Sequence, residues 1–290
     1  MRLAFLGTPE VAAGTLAALA GAGHEVVVVV TRPDKRRGRG LGVSPSPVKA
    51  MAVELGLPVV HRVDEALGAG ASLGVVVAYG RLVKPDALAR LPMVNVHFSL
   101  LPRWRGAAPV ERAVLAGDAT TGVCLMKLEE GLDTGPVYAR REVAIGAVET
   151  VAQLRARLAA LGTSMLLEAL EEGLPHPVPQ QGEPTYAEKV GTAELALEFS
   201  ETVELNLRRV RVGRAWTTLR GRRLIVHRAQ PADVAGTERA LAPGELDGRS
   251  VGCGDGRLEL LEVQPEGKPA MAAAAWSRGA RVGAGERLGA

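Results

Sequence analysis

Asn95-Val96-His97 closes an apolar run and leads straight into Phe98-Ser99-Leu100-Leu101-Pro102. Side chains alternate between the faces of a strand, so Asn95 and His97 point to one side and Val96 to the other. A polar pair sharing a face at the C-terminal end of a strand stands where open parallel sheets bind ligands. A helix-capping Asn beside a satisfied core His is the structural alternative. Gly131-Leu132-Asp133-Thr134-Gly135 supplies a carboxylate, and its flanking glycines permit a tight turn that would fix it in place. An aspartate that merely caps its own turn has the same local composition. Brought together, an amide, an imidazole and a carboxylate can take up a proton, donate to an oxyanion and return the proton.

The elements that must position these groups follow from periodicity. Short β-branched runs alternate with helical stretches through the first half of the chain, the pattern of a Rossmann-like, mostly parallel sheet with flanking helices. Strands are expected at Leu3–Gly7, Glu25–Val30, Val75–Tyr79 and Met93–His97, with the sheet continuing through Gly122–Leu128 and Tyr138–Val143. Ser46-Pro47 reads as a cap followed by a first-turn proline, opening a helix to about Gly56, and a long helix is expected from Thr150 to Glu172. Gly7-Thr8-Pro9-Glu10 opens the first helix but lacks the dinucleotide fingerprint, so no dinucleotide is inferred. The Pro-, Gln- and Gly-rich stretch from Leu174 to Pro184 suits a surface connection. A helix around Thr202–Arg211 and strand-like runs at Trp216–Leu219, Arg222–Arg228, Ser250–Cys253 and Leu258–Gln264, separated by glycine turns, predict a small OB-like β-barrel. The expected organisation is an α/β domain over 1–188, a linker over 189–204 and the β-barrel domain over 205–290.

Charge is uneven along the chain. The net charge is only +3, from 35 basic and 32 acidic residues. Yet Arg32-Pro33-Asp34-Lys35-Arg36-Arg37-Gly38-Arg39-Gly40 sets five basic residues against one acid on a glycine-containing loop after a strand. Arg208, Arg209, Arg211, Arg214, Arg220, Arg222, Arg223 and Arg228 lie in a stretch from Asn206 to Ala232 that holds no acid. Without a local counter-charge such a cluster suits phosphates, and a barrel with a basic face is a common nucleic-acid binder. A solvated charge run, or an arginine-rich surface set by genome composition, is the plain alternative.

Cys124 and Cys253 stand without a second cysteine or a histidine at ligand spacing, so no structural metal is expected and a reducing, cytoplasmic setting is. Apolar runs such as Val26 to Val30 are far shorter than a membrane span, and no export segment is read at the N-terminus. A monomer is expected, since no self-complementary apolar stripe stands out.

The stretch Asn95-Val96-His97-Phe98-Ser99-Leu100-Leu101-Pro102-Arg103-Trp104-Arg105-Gly106-Ala107-Ala108-Pro109, followed by Gly131–Gly135, resembles the methionyl-tRNA branch of the folate-dependent formyltransferase family. Phe5-Leu6-Gly7-Thr8-Pro9, Pro45-Ser46-Pro47-Val48-Lys49, Val77-Ala78-Tyr79-Gly80 and Thr185-Tyr186-Ala187-Glu188-Lys189 extend the likeness over most of residues 1–190. Pro265-Glu266-Gly267-Lys268-Pro269-Ala270-Met271 resembles the family's C-terminal signature, whereas Val212-Gly213-Arg214 departs from its Pro-Trp-Pro element. The resemblance implies that Asn95, His97 and Asp133 form a catalytic trio and that Ser99, Leu100, Leu101 and Pro102 line the folate site. Its implied donor is 10-formyltetrahydrofolate, with no metal, and its implied acceptor is methionyl initiator tRNA. Arg36, Arg37 and Arg39 would meet the acceptor stem, with Arg39 matching the family's key arginine. Arg208, Arg209, Arg211, Arg222 and Arg223 would bind tRNA from the second domain. A formyltransferase acting on glycinamide ribonucleotide or an amino-sugar nucleotide is the nearest alternative, though a small acceptor needs no basic second domain. A formyltetrahydrofolate hydrolase is expected to carry its extra domain before the catalytic one.

Overall fold

The computed structural model describes residues 1–36, 43–233, 239–283 and 285–289. It divides into two compact units, one formed by Met1–Val110, Ala119–Ala144 and Leu154–Glu188, the other by Glu111–Asp118, Ile145–Gln153 and Lys189–Ala290.

The first unit is built on a seven-stranded sheet. Its strands run in the order Val137–Ala144, Thr120–Lys127, Met93–His97, Leu73–Val77, Arg2–Gly7, Glu25–Val30 and Val59–Val60. Five neighbouring strands are parallel; Thr120–Lys127 and Val137–Ala144 add an antiparallel edge. Fully buried Val, Leu and Phe residues on both faces are what a parallel sheet covered on both sides requires. Helices Glu10–Gly21 and Val151–Glu172 lie together, joined by Thr15 Oγ1 and Thr163 Oγ1 at 2.8 Å. Gly162 of the long helix sits so close to Val96 and Val123 that a Cβ there would collide with Val96. On the opposite face Ala4, Leu6, Val28, Val30, Val76 and Met93 pack with Ala66, Ala87 and Leu91. Val96 therefore faces the long helix, while Asn95 and His97 share the face of Met93.

The strand expected at Val75–Tyr79 instead spans Leu73–Val77, because Ala78 turns into the left-handed region at φ 47. Ser46 caps the Pro47–Glu54 helix as expected, its Oγ accepting from Lys49 N at 3.1 Å. Pro9 caps the first helix, Glu10–Gly21.

The second unit carries an antiparallel sheet ordered Ala215–Leu219, Arg222–Pro231, Gly256–Pro265, Ser250–Cys253 and Leu246–Asp247, with Met271–Ala272 also paired to Gly256–Pro265. Its two outer strands are joined through the C-terminal segment: Leu219 bridges Leu288 and Glu245 bridges Arg287, which curls the sheet toward a barrel. Leu224, Val226, Val251, Leu258, Leu260, Val263 and Trp276 fill the interior. The helix Val203–Val212 starts at Thr202, whose hydroxyl accepts from Leu205 N, and stops at Gly213, φ 93. No described helix is long and apolar enough to cross a membrane.

Candidate active site

Asn95 and His97 end the Met93–His97 strand at 8% and 5% exposure. Across the antiparallel pairing Asn95 lies opposite Met126 and His97 opposite Cys124. Directly opposed residues share a face, so the polar pair stands beside an apolar patch of Leu101, Cys124, Met126 and Val137. Burial pushes the Cys124 thiol upward, leaving a neutral neighbour rather than a second reactive group.

Asp133 is delivered by the turn between the two antiparallel strands. It adopts φ 50, and Gly135 follows where a Cβ would run into the Lys127 carbonyl. Its carboxylate is the meeting point of the site. Gly106 N donates to Oδ2 at 2.9 Å, His97 Nδ1 stands 3.6 Å from the same oxygen, and Asn95 Nδ2 is 3.5 Å from Oδ1. His97 Nε2 lies 3.0 Å from the Trp104 carbonyl, which can only accept, so Nε2 carries a proton. The Trp104 carbonyl thus orients His97 through Nε2, and the Asp133 carboxylate stands beside Nδ1. Asn95 keeps one amide N–H unspent, since only one is directed at Asp133.

The loop after the strand is held by its own backbone. Ser99 Oγ donates to the Arg103 carbonyl at 2.6 Å and Trp104 N donates to Thr185 Oγ1 at 2.9 Å. Ser99 is fully buried and Leu101 belongs to the apolar patch. Within the expected folate loop, Leu100 and Pro102 are the partly exposed side chains.

Two family models match the chain: formyl transferase over residues 1–170 and formyl transferase, C-terminal domain, over residues 191–281. The chain belongs to the formyl transferase family. A methionyl-tRNA formyltransferase from Jannaschia sp. (strain CCS1) is 44% identical over 308 residues, covering 99% of this chain and 100% of its own. One from Thermus thermophilus is 45% identical over 305 residues, covering 100% and 99%. An N-formyltransferase from Helicobacter canadensis, solved with folinic acid and dTDP-3-aminofucose, shares the fold. It superposes with a TM-score of 0.69 at 14% identity, over 91% of this chain and 99% of its own.

Gln180, in the Leu174–Pro184 stretch expected to be a surface connection, holds the Asp133 turn of this formyl transferase. Gln180 donates Nε2 to the carbonyls of Asp133 and Gly135, both at 2.8 Å, while its Oε1 accepts from Arg105 Nε and Nη2 at 3.1 and 2.7 Å. The stretch expected to be a surface connection therefore crosses the site: Val178 bridges Val137, and Tyr186–Ala187 pairs with Arg105–Gly106. No local signature marks Gln180, because its partners lie 45 to 75 residues away.

The basic clusters fare unevenly. Arg37 and Arg39 lie outside the described residues; Arg36 ends a short strand paired with Val43–Ser44, and its side chain is likewise outside them. The stretch from Asn206 to Ala232 is free of acids in sequence but not in space, which corrects the expectation of a cluster without counter-charge. Arg208 pairs with Glu204 at 2.9 Å, Arg209 with Glu201 and Arg220 with Glu286. Arg211 donates to the Glu149 and Gly146 carbonyls at 2.9 and 2.8 Å, and burial draws its guanidinium below arginine's ordinary value. Arg214, Arg222, Arg223 and Arg228 remain exposed and form no ion pair with a described residue, Arg223 lying 4.7 Å above the Trp216 ring. Among the described residues no group of three or more His, Cys, Asp or Glu is placed to hold a metal ion.

Proposed function

We propose that this formyl transferase moves the formyl group of 10-formyltetrahydrofolate onto the amino group of methionyl initiator tRNA, with Asn95, His97 and Asp133 as its catalytic trio. The reading is carried by the convergence of Asn95 and His97 on Asp133, in a chain aligned end to end with methionyl-tRNA formyltransferases.

The amine nitrogen attacks the formyl carbon, the carbonyl oxygen becomes an oxyanion, and the bond to folate N10 breaks. The amine gives up one proton and N10 takes one. Asn95 donates its unspent amide N–H to the oxyanion. His97 joins it when the Trp104 carbonyl yields Nε2–H to the substrate. Asp133, fixed by Gly106 N–H, orients the imidazole and relays the proton through water. Leu100 and Pro102 border the folate. Arg36, Arg37, Arg39 and the exposed arginines of the second unit provide the salt-sensitive attraction for RNA.

The test is formyl transfer from 10-formyltetrahydrofolate to methionyl initiator tRNA, run beside glycinamide ribonucleotide and acceptor-free controls at rising salt. Salt-sensitive transfer to the charged tRNA alone is expected. Transfer only to the small amine, or formate release without acceptor, would overturn the substrate.

A further inference from the structure

The second unit contains a cavity of about 270 Å³ between the Arg220–Gly221 hairpin end, the turn around Glu266–Lys268 and the helix Ala273–Ala280. Its floor is apolar: Leu219, Leu224, Met271 and Trp276 line it. Its rim is cationic. Directly paired residues of an antiparallel ladder share a face, and Arg222 pairs with Leu219 and lies two residues from Leu224, so it stands on the cavity side. Lys268 enters from the opposite turn, held where its N–H donates to the Pro265 carbonyl and its own carbonyl accepts from Gln264 Nε2, both at 3.0 Å. Neither Arg222 nor Lys268 forms an ion pair with a described residue, and both are exposed. Arg220 closes one end instead, its guanidinium spent on Glu286 and the Ala280 carbonyl. Glu266 is the one acid on the lining.

An apolar floor with the exposed cations Arg222 and Lys268 at its mouth, and Arg223 beside them over the Trp216 ring, suits an uncharged ring with a phosphate next to it. We propose that this cavity is a mononucleotide pocket that takes one unpaired base of the RNA acceptor, with Arg222 and Lys268 on the adjoining phosphate. The inference rests on the RNA acceptor proposed above and adds where one nucleotide is held. A base of any identity presents an apolar face, so the pocket contributes affinity rather than sequence readout.

The test uses the full chain and two readouts. Equilibrium dialysis with radiolabelled AMP, GMP, CMP and UMP measures the pocket directly; tRNA-dependent formyl transfer measures its use. Ala275 is exposed on the cavity side of its helix, so Ala275→Phe fills the slot without touching the core. It is expected to abolish saturable nucleotide binding and raise KM for tRNA about tenfold with kcat unchanged. Lys268→Ala is expected to lower the slope of log affinity against log salt by about one, a change that loss of packing alone would not produce. Absence of nucleotide binding by the wild type, or an unchanged KM in Ala275→Phe, overturns the pocket while leaving formyl transfer to tRNA intact. Absence of transfer to tRNA in the wild type overturns the substrate reading instead; binding of nucleotides would then still support the pocket.

Discussion

Replacing Asn95 with alanine separates chemistry from stability. The side chain is almost fully buried, yet its contact with Asp133 Oδ1 is 3.5 Å, at the outer limit of a hydrogen bond. Such a contact contributes no more than about 1 kcal/mol to the fold, and Asp133 retains the Gly106 N–H at 2.9 Å. For a domain of this size that corresponds to a melting shift of roughly 2–4 °C. The amide's second N–H is different, because it acts on charge that exists only as the tetrahedral centre forms. Loss of one oxyanion donor costs on the order of a hundredfold or more in rate, about 2.7–4 kcal/mol. Single-turnover formyl transfer at saturating folate, with melting followed by circular dichroism on the same samples, reads both quantities. The expected result is a rate loss of at least about a hundredfold with unchanged tRNA affinity and a melting shift of a few degrees. A rate within threefold of wild type would refute the assignment of Asn95 as the oxyanion donor.

Gln180→Ala should lower kcat about tenfold, through loss of two hydrogen bonds to the turn that carries Asp133. Gln180→Glu should be as poor, since it can still accept from Arg105 but cannot donate to the turn; wild-type rates in Gln180→Glu would locate the role at Arg105. Glu245 is held down to about 2, first by the Arg239 guanidinium and then by the Ala242 N–H. A carboxylate so depressed stabilises the fold above the ordinary glutamate range and loses that contribution as pH falls toward 2. Glu245→Gln should therefore flatten the acid limb of the stability profile, measured by thermal melts from pH 7 downward; an unchanged profile would remove Glu245 from the account. Burial raises Cys253 to about 11, with the Asp255 charge adding to it, and also raises Cys124. Both thiols should react slowly with Ellman's reagent at pH 8 in the native state and fully in guanidinium. Rapid native labelling would contradict the packing around them.

Elements with strong periodicity were legible from the sequence alone. The strands Glu25–Val30, Met93–His97 and Ser250–Cys253 fall where alternation and β-branching place them, and Ser46 caps the helix it precedes. Two-residue strands such as Val59–Val60 and Leu246–Asp247 are too short for any period to register. The end of Leu73–Val77 is set by a left-handed alanine that no propensity announces. Within the site, Asn95 and His97 could be placed on a common face, and the Asp133 turn could be recognised by its glycines. That the three meet depends on antiparallel pairing of Met93–His97 with Thr120–Lys127, which brings the following turn back to the strand's end. The clamp by Gln180 depends on a chain return through a proline-rich stretch, where composition resembles that of a linker.

Charge shows most clearly why a linear window misleads. Between Asn206 and Ala232 the sequence holds eight arginines and no acid, but a helix places residue 204 beside residue 208, and a closed sheet brings residue 286 to residue 220. Glu201, Glu204 and Glu286 lie outside the window, and each neutralises an arginine within it. Exposed ion pairs of this kind contribute little to stability, yet they cancel field that would otherwise reach a polyanion. Within the window Arg214, Arg222, Arg223 and Arg228 stay exposed without an ion pair to a described residue, as does Lys268 beyond it. The salt dependence of tRNA binding should therefore respond to Arg222→Ala and Lys268→Ala and hardly at all to Arg209→Ala or Arg220→Ala. If Arg209→Ala or Arg220→Ala instead reduces the salt slope by about one, those ion pairs open on the RNA and the fold holds its arginines in reserve.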